Sequence, residues 1–128
     1  MSFERILRGI VDECGGGLGA ALMGNDGIPI VQVMSSRPAP APAPAFGAED
    51  MGAAGAEFGR ILDEIRKVAD TLDGGTLQEA VVSLTRFTLV LRGVDADTFV
   101  VLALTPDGNL GRARYLVRRH LLALREEM

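Results

Sequence analysis

Phe99-Val100-Val101-Leu102-Ala103-Leu104, followed by Thr105-Pro106-Asp107-Gly108-Asn109 and then Leu110-Gly111-Arg112-Ala113-Arg114, is the most informative passage of the chain. An unbroken apolar run of strand length predicts a strand covered on both faces, and so one at the centre of a sheet. The five residues after it are dense in turn formers. Beyond them Leu110, Ala113, Val117, Leu121, Leu124 and Met128 return at helical spacing, which predicts a closing amphipathic helix.

Working outward, residues 77–84, 87–91 and 98–104 read as three strands whose connections are too short to hold a helix. They form an antiparallel meander. Upstream, Met51, Ala54, Phe58, Ile61, Leu62, Ile65, Val68, Ala69 and Leu72 keep helical spacing over residues 48–72, with Gly74-Gly75 as the stop. Residues 18–23 and 28–33 flank Gly24-Asn25-Asp26-Gly27 and predict a hairpin. Pro29 has no N–H to give, so the second strand of that hairpin belongs at a sheet edge and the first inside. Phe3, Ile6, Leu7, Ile10, Val11 and Cys14 mark a first helix, opened by Ser2 and stopped by Gly15-Gly16-Gly17. The order is α-β-β-α-β-β-β-α, an α/β (α+β) chain read as a single domain over residues 1–128. An Ala/Pro-rich loop at 35–47 interrupts it, and its residues 37–45 favour an extended polyproline conformation.

Bulk properties narrow the function classes. The 128 residues are 48% hydrophobic and 23% charged, the balance of one packed globular domain. A net charge of -4 gives no overall attraction to phosphate backbones, so nucleic acid is not an expected partner. Cys14 is the single cysteine, which excludes an internal disulfide and a thiolate metal cage and favours a reducing cytoplasm. Met1-Ser2-Phe3-Glu4-Arg5 lacks the positive lead and apolar stretch of a signal peptide, and no run reaches membrane-spanning length, so neither export nor membrane insertion is expected.

The element order, with the passage from Val100 to Arg114 and above all Asn109-Leu110-Gly111 followed by Arg114, resembles the Roadblock/dynein light chain family, and within it the bacterial, MglB-like regulators of a Ras-like GTPase. The resemblance spans nearly the whole chain. It implies a five-stranded antiparallel sheet with the first and third helices on one face and the second helix on the other. It also implies a homodimer built from the second helix and the third strand, and a place in bacterial cell polarity or motility.

The apolar arc of the long helix is wider than about 100°, more than one sheet contact demands. A second copy would use the excess, with Phe58, Ile61, Leu62, Ile65 and Val82 as the expected seam; good burial within one subunit is the alternative. The other face carries Glu57, Arg60, Asp63, Glu64, Lys67 and Asp70, with Asp63 and Lys67 at i, i+4 pairing distance. Glu57, Arg60, Glu64 and Lys67 are the expected contacts for a small Ras-like GTPase. Arg37 and Arg60 are the arginines that could be offered in trans, and neither is assigned that role. A structural adaptor indifferent to nucleotide is the competing expectation.

No catalytic, cofactor or metal site is expected. Gly15, Gly17 and Ala20 satisfy a G-x-G-x-x-A spacing, but a dinucleotide loop follows a strand and opens a helix, and the order here is reversed. His120 has no second ligand at metal spacing. Cys14 lies on a buried stripe, Ser83 within a strand, Asp95 and Asp97 in a turn, and Glu126-Glu127 at a helix end, so neither a triad nor a carboxylate dyad is expected. Arg112, Arg114, Arg118, Arg119 and Arg125 form a basic patch on the last helix, read either as solvated charges suited to a helix C-terminus or as a dock for an acidic partner or membrane surface.

Overall fold

Ser2 opens α1 (Phe3–Glu13) by accepting the Arg5 amide on its hydroxyl at 3.2 Å. The helix buries Ile6, Leu7, Ile10 and Val11 and ends at Cys14. Gly15 and Gly16 then turn the chain at φ 68 and 86, a region an L side chain enters at a cost. In this computed structural model, which describes residues 2–36 and 46–128, the chain continues through β1 (Gly17–Gly24), β2 (Pro29–Met34), α2 (Ala48–Thr71), β3 (Glu79–Ser83), β4 (Thr88–Gly93), β5 (Thr98–Leu104) and α3 (Leu110–Glu126). The polyproline reading of residues 37–45, and Arg37 with it, lies outside the described residues.

The strands form one antiparallel sheet of order β2-β1-β5-β4-β3. β5 is central and buried along its whole length, and β2, with Pro29, is an edge, as the sequence requires. Side chains of β5 alternate between two cores. Val100, Leu102 and Leu104 meet α1 and α3, whereas Phe99, Val101 and Ala103 meet α2. The first and third helices therefore cover one face and the second helix the other.

The turn after β5 is tied back to the first glycine turn. Thr105 donates its amide to the Gly16 carbonyl at 2.9 Å, and Asn109 donates to Gly15 at 3.1 Å. Asn109 also caps α3, its side-chain oxygen accepting the Arg112 amide at 3.0 Å. The Asn-Leu-Gly signature thus has a structural job, joining the last helix to the end of the first.

Three details depart from the sequence expectation. β3 begins at Glu79 rather than near residue 77, and β4 runs on to Gly93. The stop of α2 starts one residue before Gly74, with Asp73 at φ 54 and the Gly74 amide closing onto Ala69 at 2.8 Å. Asp63 does not pair with Lys67. Arg66 takes Asp63 at 2.7 Å and Lys67 takes Glu64 at 3.1 Å, both at i, i+3, because Asp63 finds a cation and Lys67 an acid one residue nearer.

A Cβ at Gly16 would come within 2.6 Å of Thr105 Oγ1 and 2.8 Å of Gly108 Cα, and the residue also has positive φ. Gly16→Ala should therefore cost about 2–4 kcal/mol in urea unfolding, strain adding to overpacking. Gly9→Ala, where a Cβ meets nothing within 4 Å, should be neutral or stabilising by up to about 1 kcal/mol in the same assay.

Candidate functional site

The sheet-facing ridge of α2 is narrow. Met51, Gly55, Gly59 and Leu62 are its buried residues, and two of the four have no side chain. A Cβ at Gly55 would overlap Met23, and one at Gly59 would come within 3.3 Å of the Phe99 ring. The helix backbone therefore sits directly on large side chains rising from β1 and β5. Gly52 lies beside Gln32 and Ala56 beside Gly27, which turns that flank of α2 toward β2.

A second apolar line runs along the same helix. Ile61, Ile65, Val68 and Leu72 are 42%, 39%, 57% and 74% exposed, at spacings of four, three and four residues. At the pitch of an α-helix this stripe is centred about 100° from the sheet-facing ridge and roughly opposite the flank turned to β2. It therefore faces the side of β4 and β3. There β3 pairs only with β4 among the described residues, so its outer edge has no strand partner. Val81 and Leu84 at that edge are also exposed.

The expected seam divides on this geometry. Ile61 and Ile65 stand out of the subunit. Phe58 and Val82 are half-buried, packed against the core under α2. Leu62, only 4% exposed, belongs to its own sheet. Val68, Leu72 and Leu84 complete the exposed apolar surface on this side, whereas Val81, paired with Val90 of the opposite core, faces the α1 and α3 side; Val68 and Leu72 show in the helical periodicity, but nothing in a five-residue strand marks the edge beside Leu84.

Glu57, Arg60, Glu64 and Lys67 all lie on the outward face of α2, as two ion pairs. Arg60 donates to Glu57 at 2.7 Å, which pushes its guanidinium pKa further up, and Lys67 meets Glu64 at 3.1 Å. Exposed pairs of this kind contribute about 0–1 kcal/mol each, so a partner can exchange them at small cost.

The remaining polar and reactive groups have structural roles. Cys14 is buried, its thiol against the Val11 carbonyl at 3.5 Å, and burial raises its pKa away from a reactive thiolate. His120 Nδ1 contacts the Leu116 carbonyl at 2.8 Å. Among the described residues no group of three or more His, Cys, Asp or Glu side chains could hold a metal ion. Nor is any helix among them long and apolar enough to cross a membrane. The basic patch of α3 is not one solvated surface. Arg112 donates to the Glu13 carbonyl at 2.6 Å, Arg125 to Val94 at 2.5 Å and Arg114 to Glu79 at 2.6 Å, each joining α3 to another element.

No family model and no curated protein matches the sequence. Among solved structures, MglC from Myxococcus xanthus is 34% identical, with 100% of both chains covered and a TM-score of 0.69. A Roadblock/LC7 domain from Streptomyces avermitilis is 14% identical over 98% of this chain and 97% of its own, with a TM-score of 0.81. The chain belongs to the Roadblock family. The gliding protein MglB from Thermus thermophilus has the same fold, at 19% identity over 94% of this Roadblock chain and 84% of its own, with a TM-score of 0.77.

Asp95, in the turn before β5, accepts the amides of Asp97 and Thr98 at 2.8 and 2.9 Å and the Thr98 hydroxyl at 2.8 Å on one oxygen. The Asp97 amide is the chief cause of a carboxyl pKa below its ordinary value. That stabilisation is complete above the ordinary carboxylate range of about pH 4 and is lost as pH falls through the depressed value. Asp95→Ala should be less stable than the parent Roadblock domain at pH 7, and the gap between their melting temperatures should narrow in acid.

Proposed function

We propose that this chain is a non-catalytic homodimeric regulator that binds a small Ras-like GTPase and modulates its nucleotide state or hydrolysis. The observation that carries the reading is the exposed stripe Ile61, Ile65, Val68 and Leu72, on the same side of the molecule as the unpartnered edge of β3. Two copies joined there would pair the β3 edges and bury both stripes, and each fully buried Leu, Ile or Val contributes about 1.5–3 kcal/mol. The ion-paired outer faces of the two α2 helices would then form one platform, with Glu57, Arg60, Glu64 and Lys67 repeated by symmetry. Its setting would be a bacterial cytoplasm, in cell polarity or motility, in keeping with similarity to MglC and to a gliding protein.

One observation favours the second reading, a light-chain-like adaptor that holds partners irrespective of nucleotide. Arg60 and Arg66, the two arginines of α2, are each held by an acid of their own helix, so α2 offers no guanidinium free of an ion pair.

Ile65→Asp should weaken self-association by about a hundredfold or more in sedimentation equilibrium, since it would bury an unpaired charge. Replacing both Arg60 and Lys67 by Glu should leave the dimer intact and weaken GTPase binding by about tenfold, measured by calorimetry against the GTP- and GDP-loaded forms. Equal affinity for the two loaded forms would favour the adaptor. Unchanged affinity of the double variant would remove α2 as the docking face.

A further inference from the structure

On the other face of the sheet, where α3 leaves β3 partly uncovered, an open groove of about 850 Å³ runs between the α2–β3 connection and α3. Gly75, Thr76, Glu79, Arg92, Arg114 and Arg118 line it. Three guanidiniums thus share the groove with a single carboxylate. Glu79 accepts Arg114 Nε on Oε1 at 2.6 Å, and its Oε2 lies 3.8 Å from Arg92 Nη1. Arg118, one turn along α3 from Arg114, makes no ion pair among the described residues. Arg92 Nε is buried and has no acceptor among the described residues. On a chain of net charge -4, two positive charges in excess are concentrated in one concavity.

A buried donor without an acceptor is rare in a folded protein, and a water or an anion reaching it from the groove would complete its hydrogen bonding. Planar guanidiniums match oxyanions with two parallel N–H···O bonds. An excess of two charges suits a phosphate monoester, which carries about -1.5 to -2 at neutral pH, better than a single carboxylate. The groove is of the size that holds a small molecule rather than one isolated anion. We infer that it binds a small phosphate-bearing ligand, held by Arg92, Arg114 and Arg118. The inference stands apart from the GTPase reading, because the groove uses none of the α2 stripe or the four charged residues beside it.

Calorimetric titration of the full chain with pyrophosphate, ADP and adenosine, at fixed ionic strength, tests it. Pyrophosphate and ADP should bind saturably and adenosine should not. Tighter binding of ADP would assign a nucleotide as the source of the phosphate, tighter binding of pyrophosphate the inorganic anion, and both results support the site. Arg118→Glu should weaken binding by about tenfold or more, the loss of one charge-assisted contact. Arg119→Glu makes the same charge change on the same helix away from the groove and should leave affinity unchanged. Glu79→Gln should tighten binding, because it removes the carboxylate that competes with the ligand. A purely structural Arg–Glu bridge would give no such gain. Absence of saturable binding, equal losses in the Arg118 and Arg119 variants, weaker binding by Glu79→Gln, or preferential binding of a pentaglutamate peptide would each overturn the proposal.

Discussion

The seat of α2 on the sheet is the contact from which the rest of the molecule follows, because Gly55 against Met23 and Gly59 against Phe99 let the helix backbone itself approach the strands. Large side chains come from the sheet, and the helix supplies the space. A helix seated this way spends few of its own apolar residues on its subunit. Its remaining isoleucines, Val68 and Leu72 are left on the flank over β4 and β3, where water is a poor neighbour for them.

The sheet offers two edges, and they are treated differently. At β2, Pro29 lacks a donor and Gln32 ties the strand to the start of α2 by donating to the Ala48 carbonyl at 2.9 Å. At β3, among the described residues, no proline or covering helix protects the edge, and the apolar stripe of α2 lies on the same side. An open edge next to an apolar stripe is a ready template for pairing with another chain. The opposite face of the same edge carries a charged cluster, with Glu79 and Arg92 meeting α3 through Arg114. One short strand therefore separates an apolar surface suited to another protein from a cationic groove suited to an anion.

Much of this is legible in the residues themselves. β5 could be placed at the centre because Phe99 to Leu104 has no polar position, and β2 at the edge because Pro29 cannot serve a ladder. The excess apolar width of α2 is likewise visible in its periodicity. Its division into two ridges is not, since the ridge on the sheet is marked by glycines, which carry no hydrophobic signal. Leu62 and Ile61 are neighbours of equal apolarity, and only the direction of the helix axis buries one and exposes the other. The groove was hidden for a different reason. Arg114 and Arg118 stand out as part of the basic patch of α3, but Glu79 and Arg92 are far from them in sequence, and each of those two alone reads as an ordinary surface charge.

Whether the α2 flank is half of a contact decides the proposed function. Light scattering coupled to size exclusion, run on the unmodified chain over a dilution series down to about micromolar concentration, addresses it most directly. A mass of two chains that persists through the series is the predicted result. A mass of one chain at every concentration would mean that Ile61, Ile65, Val68 and Leu72 remain in water, and would contradict it.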